Sequence, residues 1–270
     1  MGADLPVRVI LPKNWKKGGS RTFPVLYLLQ GASDDYTSWT RETDVEQLAA
    51  DSDMLVVMPD GGRAGFYTDW WDHGRANRPR WETFHTVELR QLMERRYRAN
   101  TARAVIGLSE GGLGALNYAA HNPGVFRFAG SFSGIVDTSD PLMRFAFVAT
   151  CMREGVDPLR IWGHPDDQRE VWDAHNPSTM TDRFKGTRVH LSAGSGRRGD
   201  LDQDGNPLAS LLEQPLPRST EAFSQALGRA GVKVTLNLYD HGTHSWPYWE
   251  RELHVVWPGL ESLLKARRTG

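Results

Sequence analysis

The chain has 270 residues, enough for one large domain or two small ones around a substantial core. Its 32 basic and 33 acidic residues nearly cancel, to a formal net charge of −1, and they are spread along the chain. That balance argues against nucleic acid or an anionic membrane surface as a partner. A single cysteine, Cys151, excludes an intramolecular disulfide and leaves no thiol cluster for a metal.

The N-terminus, Met1-Gly2-Ala3-Asp4-Leu5-Pro6, enters a strand-like run almost at once. No basic-then-apolar signal segment precedes it, and no apolar stretch is long enough to span a bilayer. A soluble product is expected, cytoplasmic as written and secreted if a leader has been removed. Short apolar runs suited to strands follow at residues 7–11, 25–29, 55–58, 104–107, 128–133, 188–192 and 234–239. Several end in Gly, Asp or Ser, as buried parallel strands do. Helical patterns fall between them at 83–97, 113–120 and 219–230, the last with Gly231 as its stop. A final helical region aligns Leu253, Val256, Trp257, Leu260 and Leu264, with Pro258 expected to split or kink it. The alternation predicts an α/β fold, a mostly parallel central sheet flanked by helices.

Two segments fit this rhythm poorly. Residues 60–80 form a long loop rich in Gly, Trp and Arg, and residues 137–182 carry several prolines with weak periodicity. Long irregular segments in compact domains are often lids or binding loops. The expectation is therefore one domain, 1–270, with 137–182 an inserted segment of short helices and irregular chain over the sheet. Cys151 lies in that insertion, has no base near it in sequence, and is read as a packing residue.

The chemistry is concentrated at Gly107-Leu108-Ser109-Glu110-Gly111, a full G-x-S-x-G match entered from Ala104-Val105-Ile106 and left by a helical run. Such a serine sits on a strained strand-to-helix turn, and the glycines remove side chains that would clash there. The helix N-terminus behind it offers free N–H groups to a developing oxyanion.

A serine nucleophile needs a general base, and the base needs an acid to orient it. Beyond the last strand run, Asp240-His241-Gly242-Thr243-His244 offers His241 and His244. Two histidines in one loop without a third ligand are weak grounds for zinc, and no metal or other cofactor is expected. For the acid, the stretch after residues 188–192 offers Asp200, Asp202, Asp204 and Glu213, and position favours Asp200 or Asp202. The run Asp200-Leu201-Asp202-Gln203-Asp204-Gly205 also looks like the opening of a calcium loop. Its closing glutamate would fall at Leu211, so the match is incomplete and a solvated acidic turn is the expectation.

Further segments carry a resemblance: Leu28-Leu29-Gln30-Gly31, Val57-Met58-Pro59-Asp60-Gly61-Gly62, Phe66-Tyr67-Thr68-Asp69-Trp70, Trp81-Glu82-Thr83-Phe84 and Gly242-Thr243-His244-Ser245-Trp246. In this order, with the serine motif, the chain resembles the putative-esterase family of α/β-hydrolases, nearest its mycolyltransferase branch. The resemblance implies an α/β-hydrolase fold, Ser109 as nucleophile and His244 as base. It also implies Glu213 as the acid, from Leu212-Glu213 followed by Arg218-Ser219. The oxyanion donors it implies are the backbone N–H groups of Ala32 and Glu110.

Departures touch the acceptor side. The mycolyltransferases carry Asp where this chain has Gln30, and an arginine in the following loop that Ala32-Ser33-Asp34-Asp35 lacks. Their paired cysteines are replaced by Asp72-His73-Gly74-Arg75. The expected function is thus a serine carboxylic-ester hydrolase, with Tyr67, Trp70 and Trp246 as pocket-wall residues. The expected partner is a small or lipid-like ester. Acyl transfer to a sugar or other alcohol is the alternative, and a catalytically silent binding module a distant one.

Overall fold

A computed structural model describes residues 2–202 and 206–266 of the chain. All seven expected strand runs are present: β1 Val7–Ile10, β2 Phe23–Leu29, β3 Leu55–Pro59, β4 Ala99–Leu108, β5 Phe128–Phe132, β6 Arg188–Gly194 and β7 Val234–Tyr239. They form one sheet in the order β1-β3-β2-β4-β5-β6-β7, parallel throughout except for the antiparallel β1–β3 pair. The chain leaves β2 towards one edge and β4 towards the other. The carboxyl ends of β2 and β4 therefore flank the switch point where open α/β sheets place their ligands.

The helices are α1 Ser38–Glu42, α2 Val45–Ala50, α3 Trp81–Thr83, α4 Arg90–Tyr97, α5 Glu110–His121, α6 Pro141–Arg153, α7 Pro158–Trp162, α8 Arg169–Ala174, α9 Pro207–Glu213, α10 Leu216–Arg229 and α11 Trp246–Leu264. A π-helical turn, Phe84–Leu89, joins α3 to α4, so the helix expected over 83–97 runs on from Trp81. Alternate residues of β2 serve two cores, as the two-residue strand period requires. Val25, Tyr27 and Leu29 pack with Ala115, Leu116 and Phe223 from α5 and α10. Leu26 and Leu28 pack with Trp39 and with Leu253, Trp257 and Leu260 of α11.

One expectation changes, and the structure adds detail elsewhere. Pro258 does not break α11, which is a single helix of 19 residues. The proline lies on the exposed face, where water can satisfy the carbonyl it frees, while Leu253, Trp257 and Leu260 stay buried on the other. Helices α1 and α2 have too little apolar periodicity to read from sequence; burial of Trp39 and Val45 brings them onto the sheet. The helices expected in 137–182 are present, and the longest of them, α6, is started by Asp140, whose side chain accepts the N–H groups of Leu142 and Met143. Phe147 and Cys151 of α6 pack into an aromatic cluster with Phe66, Trp162 and Trp172. No helix among the described residues is long and apolar enough to cross a membrane.

Candidate active site

Ser109 stands between β4 and α5 with φ 52° and ψ −121°, a conformation costly for a residue with a Cβ. The neighbouring glycines show why the turn closes only with this sequence. A Cβ on Gly107 would lie 2.0 Å from the Gly111 carbonyl oxygen, and one on Gly111 would lie 2.3 Å from that of Gln30. The strand end, the turn and the Gln30–Gly31 backbone are thus packed into direct contact, with Ser109 at the top.

His244 comes from the loop between β7 and α11, and its N–H is bonded to the Ala209 carbonyl at 3.0 Å. Its Nε2 lies 2.8 Å from Ser109 Oγ, and its Nδ1 lies 2.7 Å from Glu213 Oε2. Glu213, the last residue of α9, is fully buried. Its other oxygen, Oε1, accepts the Ser133 hydroxyl at 2.7 Å and the Gly194 N–H at 2.6 Å. Trp249 lies edge-on to the His244 ring at 5.0 Å and donates Nε1–H to Ser133 Oγ at 3.1 Å. A buried carboxylate with three such partners is held rigidly and keeps the imidazole in one orientation.

The other expected acids and the second histidine lie elsewhere. Asp202 turns its carboxylate to the Thr243 hydroxyl, to Tyr248 Oη at 2.7 Å and to the Gly199 N–H at 2.8 Å, and does not reach His244. Asp200 is exposed, and Asp204, with Gln203 and Gly205 of the calcium-like run, lies outside the described residues. His241 is exposed, with Arg197 Nη2 3.2 Å from its Nε2.

A cavity of about 950 Å³ opens over Ser109 and His244. Ala32 and Glu110 both border it, and neither N–H is taken up by an acceptor among the described residues. Two free N–H groups, one from the loop after β2 and one from the start of α5, beside a serine are what an oxyanion site requires. The opposite walls come from α6 and α9, chiefly Phe145, Ala146, Leu208 and Leu211, which sequence reading missed because each helix had to be placed over the sheet first.

Trp246 borders the cavity, edge-on to Trp39 at 5.3 Å. Tyr67 and Trp70 do not, which corrects their assignment to the wall. Tyr67 is 1 % exposed and donates its hydroxyl to the Gln30 carbonyl at 2.9 Å. Trp70 is buried with its Nε1–H on the Gly65 carbonyl. Tyr67 lies in a left-handed turn with Phe66, each with φ 52°, and Trp70 packs into the cluster of Phe66, Phe147 and Trp162. Ser133, Gly194 and Trp249 carried no motif; a serine and a glycine at the carboxyl ends of β5 and β6 were the only signal.

A family model described as putative esterase matches residues 1–259. The chain belongs to the putative-esterase family. Among curated relatives, this esterase is 34% identical to the diacylglycerol acyltransferase/mycolyltransferase Ag85B of Mycolicibacterium smegmatis, over 98% of the chain and 82% of that protein. It is 33% identical to Ag85A of Mycobacterium leprae, covering 98% and 81%. Among solved structures, MPT51 of Mycobacterium tuberculosis superposes with a TM-score of 0.79 at 23% identity, over 97% of this chain and 94% of that one. The S-formylglutathione hydrolase of Agrobacterium tumefaciens gives 0.68 at 20%, over 98% and 90%. These superpositions show that the esterase has the α/β-hydrolase fold.

Proposed function

We propose that this esterase cleaves carboxylic esters through an acyl-enzyme on Ser109, with His244 as base and Glu213 as the orienting acid. The observation that carries the reading is the unbroken line from Glu213 through His244 to Ser109, with contacts of 2.7 and 2.8 Å. As Oγ attacks the ester carbonyl, His244 Nε2 takes its proton. Glu213 holds the tautomer with hydrogen on Nδ1 and stabilises the imidazolium. The N–H groups of Ala32 and Glu110 receive the oxyanion; one such donor is typically worth about 2.7–4 kcal/mol. His244 then protonates the leaving alcohol, and water activated by the same histidine releases the acid.

The apolar walls from α6 and α9 favour an ester with an apolar acyl part larger than acetyl, in a cavity of about 950 Å³. A second reading has one specific support, the acyltransferase names of relatives at 33–34% identity. There, a sugar or other alcohol takes the place of water in the second half-reaction, while the first is shared.

Hydrolysis of p-nitrophenyl acetate, butyrate and octanoate by the parent and Ser109→Ala tests both. Sustained Ser109-dependent turnover supports the esterase. A burst that stalls until a sugar or alcohol is added supports the transferase. No Ser109-dependent release from any of the three would leave a binding module as the better reading.

A further inference from the structure

The steps above use only the N–H of Glu110 and leave its side chain without a role. That side chain is nonetheless built into the structure, with the residue 2 % exposed at the cavity edge. Oε1 accepts the Phe66 N–H at 2.7 Å, whereas Oε2 is buried without a hydrogen-bond partner. The charged groups that bear on it are Glu154, which opposes its ionisation, and Arg153, which favours it, both at the end of α6. The titratable groups that its own charge would in turn push up are Cys151 of α6, Tyr67 of the 60–80 segment and Tyr118 of α5. Arg153 donates instead to Ser33 and to Glu154, so its charge is shared with another carboxylate. A carboxylate with one N–H donor, no hydrogen-bonded cation and one oxygen out of water is disfavoured against its acid. Burial pushes the Glu110 carboxyl up to about 8.

We propose that Glu110 is a positioning residue acting as a neutral acid, tying the oxyanion end of α5 to the Phe66–Tyr67 turn, and that its ionisation turns the esterase off. Both residues of that turn have φ 52°, a conformation in which a non-glycine residue needs outside support. Glu110 Oε1 supplies it by holding the Phe66 N–H, and Phe66 in turn borders the cavity. When the proton leaves Glu110 for solvent hydroxide, a full negative charge is left buried on the residue whose own N–H borders the cavity where the ester oxygen becomes an anion. Like charges in a water-poor site repel strongly, so the transition state suffers most.

This inference rests on Ser109 being the nucleophile. The test is kcat/KM for p-nitrophenyl butyrate from pH 6 to 9.5 in the parent, Glu110→Gln and Ser109→Ala, with thermal melts alongside. The parent is expected to lose roughly tenfold or more between pH 7 and 9.5. In Glu110→Gln the ratio of activity at pH 9.5 to that at pH 7 should rise at least fivefold (roughly) above the parent's. The melts carry an independent sign. With the folded value raised above the unfolded one of about 4.3, the stability contributed by the neutral acid is present below that and lost as pH rises to about 8. Glu110→Gln should therefore gain on the parent in Tm between pH 4 and 9. A parent profile flat to pH 9.5, an alkaline fall kept by Glu110→Gln, or a Glu110→Gln chain that does not fold, since the amide keeps the acid's shape and acceptor, would overturn the proposal. Turnover that survives in Ser109→Ala would instead be a failure of the nucleophile reading.

Discussion

Ser133 donates its hydroxyl to Glu213 Oε1 at 2.7 Å, on the oxygen that His244 does not use. The Glu213 carboxylate is therefore held from the residue after β5 and, through the Gly194 N–H, from β6, while α9 only carries it into place. Ser133 itself has φ 49°, which sets its hydroxyl in the gap between Glu213 and Trp249. Ser133→Ala should remove one of the two donors to Oε1 and loosen the imidazole's partner. The expected loss in kcat is about 5- to 30-fold with KM nearly constant, as befits a neutral donor to a charged acceptor. Steady-state kinetics on p-nitrophenyl butyrate decide it.

The Asp202 carboxylate ties the loop of Thr243 to the start of α11, because its donors Thr243 and Tyr248 lie on either side of His244–Ser245. Burial opposes its charge, but hydrogen bonds from Thr243, Gly199 and Tyr248 outweigh that and hold it below the ordinary aspartate value. A depressed folded value contributes stability above the unfolded value of about 3.9 and loses it as pH falls through the folded one. Asp202→Asn should thus melt below the parent at pH 7, with the gap closing below roughly pH 4. Melting curves across that range are the check.

Ala146 lies on the cavity side of α6. Ala146→Trp should fill space needed by a long acyl chain more than space needed by acetyl. The ratio of octanoate to acetate kcat/KM is expected to fall at least tenfold (roughly), a loss of about 1.4 kcal/mol in discrimination. An unchanged ratio would mean that the acyl chain runs elsewhere.

Phe147 is stacked on Trp162 with ring centroids 4.8 Å apart and lies 4.5 Å from Phe66. At 3 % exposure it anchors α6 to the rest of the chain. Phe147→Ala should cost about 3–5 kcal/mol, measured as a fall in the denaturant midpoint.

Much of this was legible in the chain, for reasons that differ from residue to residue. Ser109 could be read because its turn tolerates only glycine at 107 and 111, and that requirement is local. The strands could be read because burial on both faces demands uninterrupted apolar runs, as in β2 and β3. The acid could not be chosen from the residues alone. Asp200, Asp202 and Glu213 follow the same strand, and only the path of α9 brings Glu213 to Gly194 and Ser133. Resemblance to the family supplied that choice. Tyr67 and Trp70 were misplaced because aromatic residues in a glycine-rich loop read as a rim. The left-handed turn at 66–67 instead packs Tyr67 against Gly61 and Gly114, where a Cβ would lie within 2.5 Å of its ring. Short helices were expected in 137–182, but the bounds of α6 were not legible because its apolar residues occupy both the buried and the exposed faces, with Phe147 inside and Phe145 outside.

The most direct test of the Ser109 mechanism is mass spectrometry of the acyl-enzyme, trapped by acid quench during the first turnover of p-nitrophenyl butyrate. A butyryl mass on the peptide carrying Ser109, absent from Ser109→Ala and accumulating in Glu213→Gln no faster than in the parent, is the expected result. Label on another residue, or turnover in Ser109→Ala at the parent's rate, would contradict it.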